Sequence, residues 1–131
     1  MKADEIIIYV VVVVYNKYCG NSSTCIHLDK IGGVNVVIVD NSTCEYGNLE
    51  FAAEKNWDYI NMGGNLGLSK AYNKAVEYVN DSDAFICLFD DDSELDEKYF
   101  TALREAATQD KETKIFVPAT YGPRGAIFPQ R

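Results

Sequence analysis

Asp90, Asp91 and Asp92 stand side by side at the end of the apolar run Ala84-Phe85-Ile86-Cys87-Leu88-Phe89. Carboxylates packed this closely repel, so they either hold on to protons or recruit a cation. In an extended backbone alternate side chains share a face, which would set Asp90 and Asp92 roughly 6–7 Å apart on one side. Oxygen ligands of this kind suit Mg²⁺ or Mn²⁺, with water and substrate phosphates completing the shell. The same residues also fit a solvated turn whose charge favours the N-terminus of the next helix. An EF-hand loop starting at Asp90 fits worse, because it needs glycine where Leu95 stands and glutamate where Thr101 stands.

A second candidate is Gly63-Gly64-Asn65-Leu66-Gly67, immediately before a helical pattern. Glycines there permit positive φ and close approach of backbone to a ligand, and the helix N-terminus behind them favours an anion. A tight strand-to-helix turn has the same composition. The segment is neither a phosphate loop, since no Lys-Ser/Thr follows, nor G-x-G-x-x-G. Tyr15-Asn16 and Asp40-Asn41-Ser42 close two further apolar runs. The cysteines, Cys19, Cys25, Cys44 and Cys87, show no C-x-x-C spacing and read as passive packing thiols. His27 reads as a surface helix residue, and Trp57 and most tyrosines as packing; Tyr72 falls on a buried stripe.

Runs of branched residues alternate with helical patterns, which predicts an α/β domain with a mostly parallel sheet and helices on both faces. Strands are expected at residues 5–14, 34–39, 57–60, 84–89 and 114–117. The first is apolar throughout, as a central strand covered on both faces must be. Helices are expected from caps at Asn21, Ser22 or Ser23 through Leu28 and Ile31, then at 45–55, after Gly67, and at 96–107. The third carries Leu68, Ala71, Tyr72, Ala75, Val76 and Val79 on one apolar stripe. Residues 118–131 show no periodicity. Right-handed crossovers place any ligand beyond the carboxyl ends of the strands, near the point where strand order reverses. The polar clusters named above all fall at those ends.

The chain has 131 residues and a net charge of −8. That length suits one domain, and the acidity argues against a nucleic-acid partner, which needs a basic surface to displace counterions. A nucleotide remains compatible, since a divalent cation can bridge carboxylates to phosphates. The apolar run 6–14 is far short of the ~20 residues that span a bilayer. Free thiols without a preceding secretory leader suggest the cytoplasm.

The segment Gly64-Asn65-Leu66-Gly67-Leu68-Ser69-Lys70-Ala71-Tyr72-Asn73 resembles the G-N-x-G-x-(A/S)-x-A-x-N pattern of family 2 glycosyltransferases. Val11-Val12-Val13-Val14-Tyr15-Asn16 is similar to their first strand, Val37-Ile38-Val39-Asp40-Asn41-Ser42 to their V-V-D-N-(G)-S, and Leu88-Phe89-Asp90-Asp91-Asp92 to their L-x-D-x-D. The wording is nearest to rhamnosyltransferase-like members. The resemblance implies the Rossmann-like glycosyltransferase A fold and an inverting transfer from a UDP- or dTDP-linked sugar to a saccharide hydroxyl, with Mn²⁺ or Mg²⁺ as cofactor. It implies donor-nucleotide contacts from Tyr15, Asn16, Asp40, Asn41, Gly64, Asn65, Gly67, Asn73, Asp90 and Asp91, and a metal held by Asp90 and Asp92. Residues 1–118 would form the nucleotide-sugar-binding domain, and 119–131 an irregular tail leading into an acceptor-binding half. That half is where such enzymes carry the catalytic base, so no base is assigned within this chain, and any membrane contact would lie there too. A sheet edge left open beside it would favour a homo-oligomer. Two other readings stay open: a nucleotide-binding module without catalysis, and a doubly wound signalling or scaffold domain.

Overall fold

A central strand must be apolar on both faces, and the valine-rich run supplies one. The computed structural model describes residues 5–81, 83–109, 115–116, 120–122 and 125–127. In it β1 (Ile8–Val14) lies in the middle of a parallel sheet with β2 (Asn35–Asp40), β3 (Asp58–Asn61), β4 (Phe85–Asp90) and β5 (Ile115–Phe116), in the order β3-β2-β1-β4-β5. Val14 pairs with Asp40, and Val13 with Asp90. The carboxyl ends of β2 and β4 therefore flank that of β1, bringing two distant acidic positions to one edge. This is the expected α/β architecture.

Alternate residues of the sheet feed two cores. Ile8, Val10, Val12 and Val14 pack with residues of α1 (Ser23–Leu28), α2 (Asn48–Glu54) and α4 (Glu97–Gln109), whereas Val11 and Val13 pack with α3 (Leu68–Val79). Ala71 and Ala75 are fully buried against the sheet, and their small side chains let α3 lie close to it. On the opposite face Phe100 is the largest side chain buried almost completely; burying one of that size contributes about 1.5–3 kcal/mol. Tyr99 meets Phe89 edge to face, with ring centroids 5.5 Å apart, which seats α4 over the end of β4.

Several boundaries differ from expectation for local reasons. α1 follows a 3-10 turn (Cys19–Asn21) and is capped by Ser22, whose hydroxyl accepts from the Cys25 N–H. It stops at Leu28 rather than Ile31, although Ile31 still packs on the core. α2 starts at Asn48 rather than Glu45, because Gly47 sits at φ +81° and its N–H bonds the Glu45 carboxylate (2.7 Å). A turn thus consumes the residues that helical periodicity claimed. Leu68, assigned to the apolar stripe, is 49% exposed, and burial on α3 begins only at Ala71.

The right-handed crossover rule would send the β4–β5 connection to the face of α3. Instead α4 joins the face of α1 and α2. The turn after β4 is bonded to side chains at the start of α1, and this directs the chain onto that face. Residues 119–131 were expected to be irregular, yet β6 (Thr120–Gly122) and β7 (Gly125–Ile127) pair antiparallel. Strands of three residues are too short to show a period in sequence. The rest of that stretch lies outside the described residues, as do the outer residues of the strand expected at 114–117. Among the described residues no helix is long and apolar enough to cross a membrane.

Candidate functional site

Strand order reverses at β1, because the chain leaves one side of it for β2 and returns on the other as β4. Connections diverge there and leave a crevice at the carboxyl ends. A cleft of about 380 Å³ occupies that position, lined by Val13, Tyr15, Asn41, Asn65, Leu68, Asp90, Asp91 and Asp92. It gathers side chains from the ends of β1, β2 and β4 and from the glycine-rich loop, so residues 15, 41, 65, 90, 91 and 92 of the expected set come together.

The acidic loop is held by its backbone. Thr24, fully buried, donates its hydroxyl to the Asp90 carbonyl (2.6 Å) and accepts from the Ser93 N–H (2.7 Å). Ser22, also fully buried, donates to the Asp91 carbonyl. The chain turns at Asp91 and Asp92 instead of remaining extended, so simple strand alternation does not place these carboxylates. Asp91 is drawn aside by Lys17, whose Nζ lies 3.2 Å from its carboxylate. Asp90 and Asp92 stay exposed at the cleft.

The donor set suits a hard divalent cation. Among the described residues no three His, Cys, Asp or Glu side chains cluster closely enough to cage a metal. Mg²⁺ and Mn²⁺ sites of the phosphate-binding kind need no such cage, because one or two carboxylates suffice when substrate phosphates complete the shell. Two exposed carboxylates on an open cleft fit that arrangement.

The phenol of Tyr72, on α3 and partly buried against the sheet, is pushed up to about 12, first by burial and then by the negative charge of Asp90. Its folded pKa lies above the ordinary value of 10, so the protonated phenol favours the fold. That contribution is fully present below pH 10 and is lost as pH rises through 12. Urea unfolding at pH 9 and pH 12 should show a fall in stability that is smaller in Tyr72→Phe. An identical fall in both chains would mean the phenol is not held by its surroundings.

Asp40 has a different role from the exposed pair. It is only 4% exposed and accepts from the Ser42 N–H (2.9 Å), Asn48 Nδ2 (3.1 Å) and the Tyr59 hydroxyl (2.8 Å). Burial, and then this bond, pushes the Tyr59 phenol up. Asn48 extends the network, accepting from the Cys19 N–H and donating to the Lys17 carbonyl. One edge of Asp40 reaches a second hollow of about 240 Å³, shared with Ser42, Thr43, Cys44, Glu45, Tyr59, Asn61 and Gly63.

Asn16 is left-handed (φ +47°) and its side-chain oxygen accepts from the Thr43 N–H (2.8 Å). It ties the end of β1 to the segment after β2. Gly64 and Gly67 have φ of +144° and +92°, and among the described residues nothing lies within 4 Å of where a Cβ would stand on either. Backbone conformation, not crowding, asks for glycine there. Asn73 is exposed on α3 and does not line the cleft. Cys19, Cys25 and Cys87 are buried and free, Cys44 exposed and free; burial pushes Cys87 up to about 12.

Lys17, Thr24, Asn48 and Tyr59 carried no signal in sequence. Lys17 and Thr24 lie 74 and 66 positions from the aspartates they meet, and no local pattern links such pairs.

Fold and cleft define a class: a doubly wound α/β domain with an acidic site at its switch point. The family model for glycosyl transferase family 2 matches residues 9–130, and the chain belongs to that family. The crystal structure of S. aureus TarS 1-349 is similar in fold, with a TM-score of 0.62 at 21% identity. The similarity covers 79% of this chain and 33% of that one, so the chain spans about a third of the solved relative's length. No curated protein matches the sequence.

Proposed function

We propose that residues 1–118 form the donor-binding part of an inverting glycosyltransferase that takes a UDP- or dTDP-linked sugar and passes it to a saccharide hydroxyl. The observation that carries this reading is the convergence of Asp90, Asp92, Asn41, Asn65 and Tyr15 on one cleft at the switch point. Tyr15, half exposed, offers a ring face on which a base can stack. Asp90 and Asp92 would hold Mn²⁺ or Mg²⁺ beside the diphosphate. The chemistry that cation supplies when bound is neutralisation of the charge building on the departing nucleoside diphosphate. Thr24 and Ser22 hold the loop backbone at Asp90, Asp91 and Ser93 and leave the carboxylates unoccupied, and Lys17 lowers the repulsion by pairing with Asp91. The cytoplasm, where nucleotide sugars and free thiols coexist, is the compartment we propose.

A catalytically silent nucleotide-binding module is the second reading. Behind it stands the observation that, among the described residues, the carboxylates lining the cleft all belong to the acidic loop, where they would be engaged with the cation rather than serve as the base for an acceptor hydroxyl.

Calorimetric titration with UDP and dTDP, in Mn²⁺ and again in EDTA, tests the common core of both. Binding that disappears with EDTA is the expected outcome. No binding of either nucleotide under either condition would leave the acidic loop as a solvated turn and the domain as a scaffold. Release of free sugar from a UDP- or dTDP-sugar would then separate enzyme from module.

A further inference from the structure

We propose that Cys19 and Cys25 are a modification site: hydrogen peroxide joins them in a reversible disulfide, and the new bond loosens the acidic loop. What this does to nucleotide affinity rests on the nucleotide reading above, whereas the disulfide and the loosened loop stand apart from it. Cys19 opens the 3-10 turn and Cys25 lies in α1, with Ser22 between them. Two hydrogen bonds fold this segment. The Ser22 N–H donates to the Cys19 carbonyl (3.0 Å), and the Cys25 N–H donates to Ser22 Oγ (3.2 Å). Both side chains thereby enter the same core, where they are fully buried. Both thiols are free, and the Cys19 S–H donates to the Cys25 sulfur. The Cys19 N–H is pinned from outside the segment by Asn48 Oδ1 (2.8 Å).

The residues between the two cysteines are those that hold the acidic loop. Ser22 donates to the Asp91 carbonyl, while Thr24 donates to the Asp90 carbonyl and accepts from the Ser93 N–H. A disulfide sets its sulfurs about 2 Å apart, well inside non-bonded contact, so closing it draws Cys19 and Cys25 together. With Cys19 held by Asn48, the movement falls on Cys25 and the start of α1. Hydrogen bonds weaken over a few tenths of an ångström, and those of Ser22 and Thr24 are pulled out of line. In the reaction the Cys25 sulfur attacks one peroxide oxygen, the O–O bond breaks, and hydroxide leaves with the thiol's proton as water. Cys19 then attacks the sulfenic sulfur, the S–O bond breaks, and the hydroxyl leaves with the Cys19 proton as a second water. Two thiols are oxidised and one peroxide is reduced. The bond donated by Cys19 lowers the Cys25 thiol, against the opposing effect of burial, which favours Cys25 as the attacking sulfur. Both sulfurs are closed off from solvent, so peroxide enters when the six-residue α1 opens locally, more slowly than it reaches exposed Cys44. In a reducing compartment the pair stands as thiols and closes only under oxidant.

The test treats the whole chain with hydrogen peroxide, then with dithiothreitol, and follows peptide mass, amide exchange and UDP binding. Trypsin cuts after Lys17 and Lys30, so both thiols fall in peptide 18–30, apart from Cys44 and Cys87. That peptide should become lighter by two hydrogens and regain them in dithiothreitol. The Ser93 amide, which Thr24 holds, should exchange at least about fivefold faster in the oxidised chain, as loss of one hydrogen bond allows. UDP binding in Mn²⁺ should weaken about 10- to 100-fold, the range for losing support behind a metal ligand. Cys19→Ala should show none of these changes under peroxide, and Cys19→Ser replaces it if the alanine chain does not fold. A peptide that gains oxygen instead of losing hydrogen, or stays unchanged, overturns the disulfide. A disulfide that leaves Ser93 exchange as slow as before overturns its hold on the loop, and so does equal loosening in Cys19→Ala. Unchanged UDP affinity beside a fast Ser93 amide overturns the link from loop to ligand. Failure of the reduced chain to bind UDP at all would instead sink the nucleotide reading, with peptide mass and Ser93 exchange still deciding the disulfide and its hold on the loop.

Discussion

Asp92→Ala is expected to weaken UDP binding in Mn²⁺ by more than the roughly 100-fold that loss of a residue merely supporting a metal ligand can cost. Its unfolding midpoint should stay close to the parent's. Both halves follow from the same placement. Asp92 is exposed at the cleft and, among the described residues, makes no side-chain hydrogen bond or ion pair, so its removal leaves no buried group behind. Exposed substitutions of that kind usually change stability by no more than about 0.5 kcal/mol. A cation held by two carboxylates and by phosphates, however, loses half of its protein ligands. Asp91→Ala provides the contrast, since Asp91 is already paired with Lys17 and should matter less to the cation. Titration with UDP in Mn²⁺ and in EDTA, together with thermal melts, measures both effects. An Asp92→Ala chain that binds UDP as the parent does, with or without EDTA, would move the phosphate-neutralising role to Lys17.

Asp40→Ala should do the reverse, lowering stability by about 3 kcal/mol, since it strands buried donors that each cost about 1–3 kcal/mol when unpaired. The carboxylate is 4% exposed and satisfies the Ser42 N–H, Asn48 Nδ2 and the Tyr59 hydroxyl together. Removing it also loosens Asn48, which bridges to Lys17 and Cys19. Such a loss is a large part of the 5–15 kcal/mol typical of a whole domain. Tyr59→Phe removes one of the three bonds and should cost about 1 kcal/mol, the usual net value for one. Urea unfolding of the three chains measures the series. Were Asp40→Ala as stable as the parent, the carboxylate's desolvation would cancel its bonds. Asp40 would then be a ligand group held in the interior at the expense of stability.

The contrast between these two aspartates shows how far local sequence reaches. Both stand where an apolar run ends, and the family resemblance implied a donor-nucleotide contact for Asp40 and a metal contact for Asp92. The run 8–14 is apolar on both faces, so its place at the centre of a sheet was legible from composition alone. The helical stripe of Ala71, Tyr72, Ala75, Val76 and Val79 likewise announced which face of α3 would meet the sheet. Strand ends and the glycine-rich loop were legible because apolar runs stop abruptly at polar or flexible residues. These features depend on neighbours a few positions apart, and the chain carries them wherever it goes.

Tertiary structure alone decided what each polar residue does at those ends. Asp40 is bound into a network with Asn48 and Tyr59, Asp91 is neutralised by Lys17, and Asp90 and Asp92 are left facing the cleft. Asn16 and Asn41, both expected at the nucleotide, part company: the Asn16 side-chain oxygen is taken by Thr43, and that of Asn41 is left unpaired. The choice is made by partners 8 to 74 positions away, which come within reach only when the parallel sheet and its helices align the strand ends. A hydrogen bond depends on a few tenths of an ångström and on direction. Periodicity specifies a face and an edge, and the packing of one element on another sets the distances.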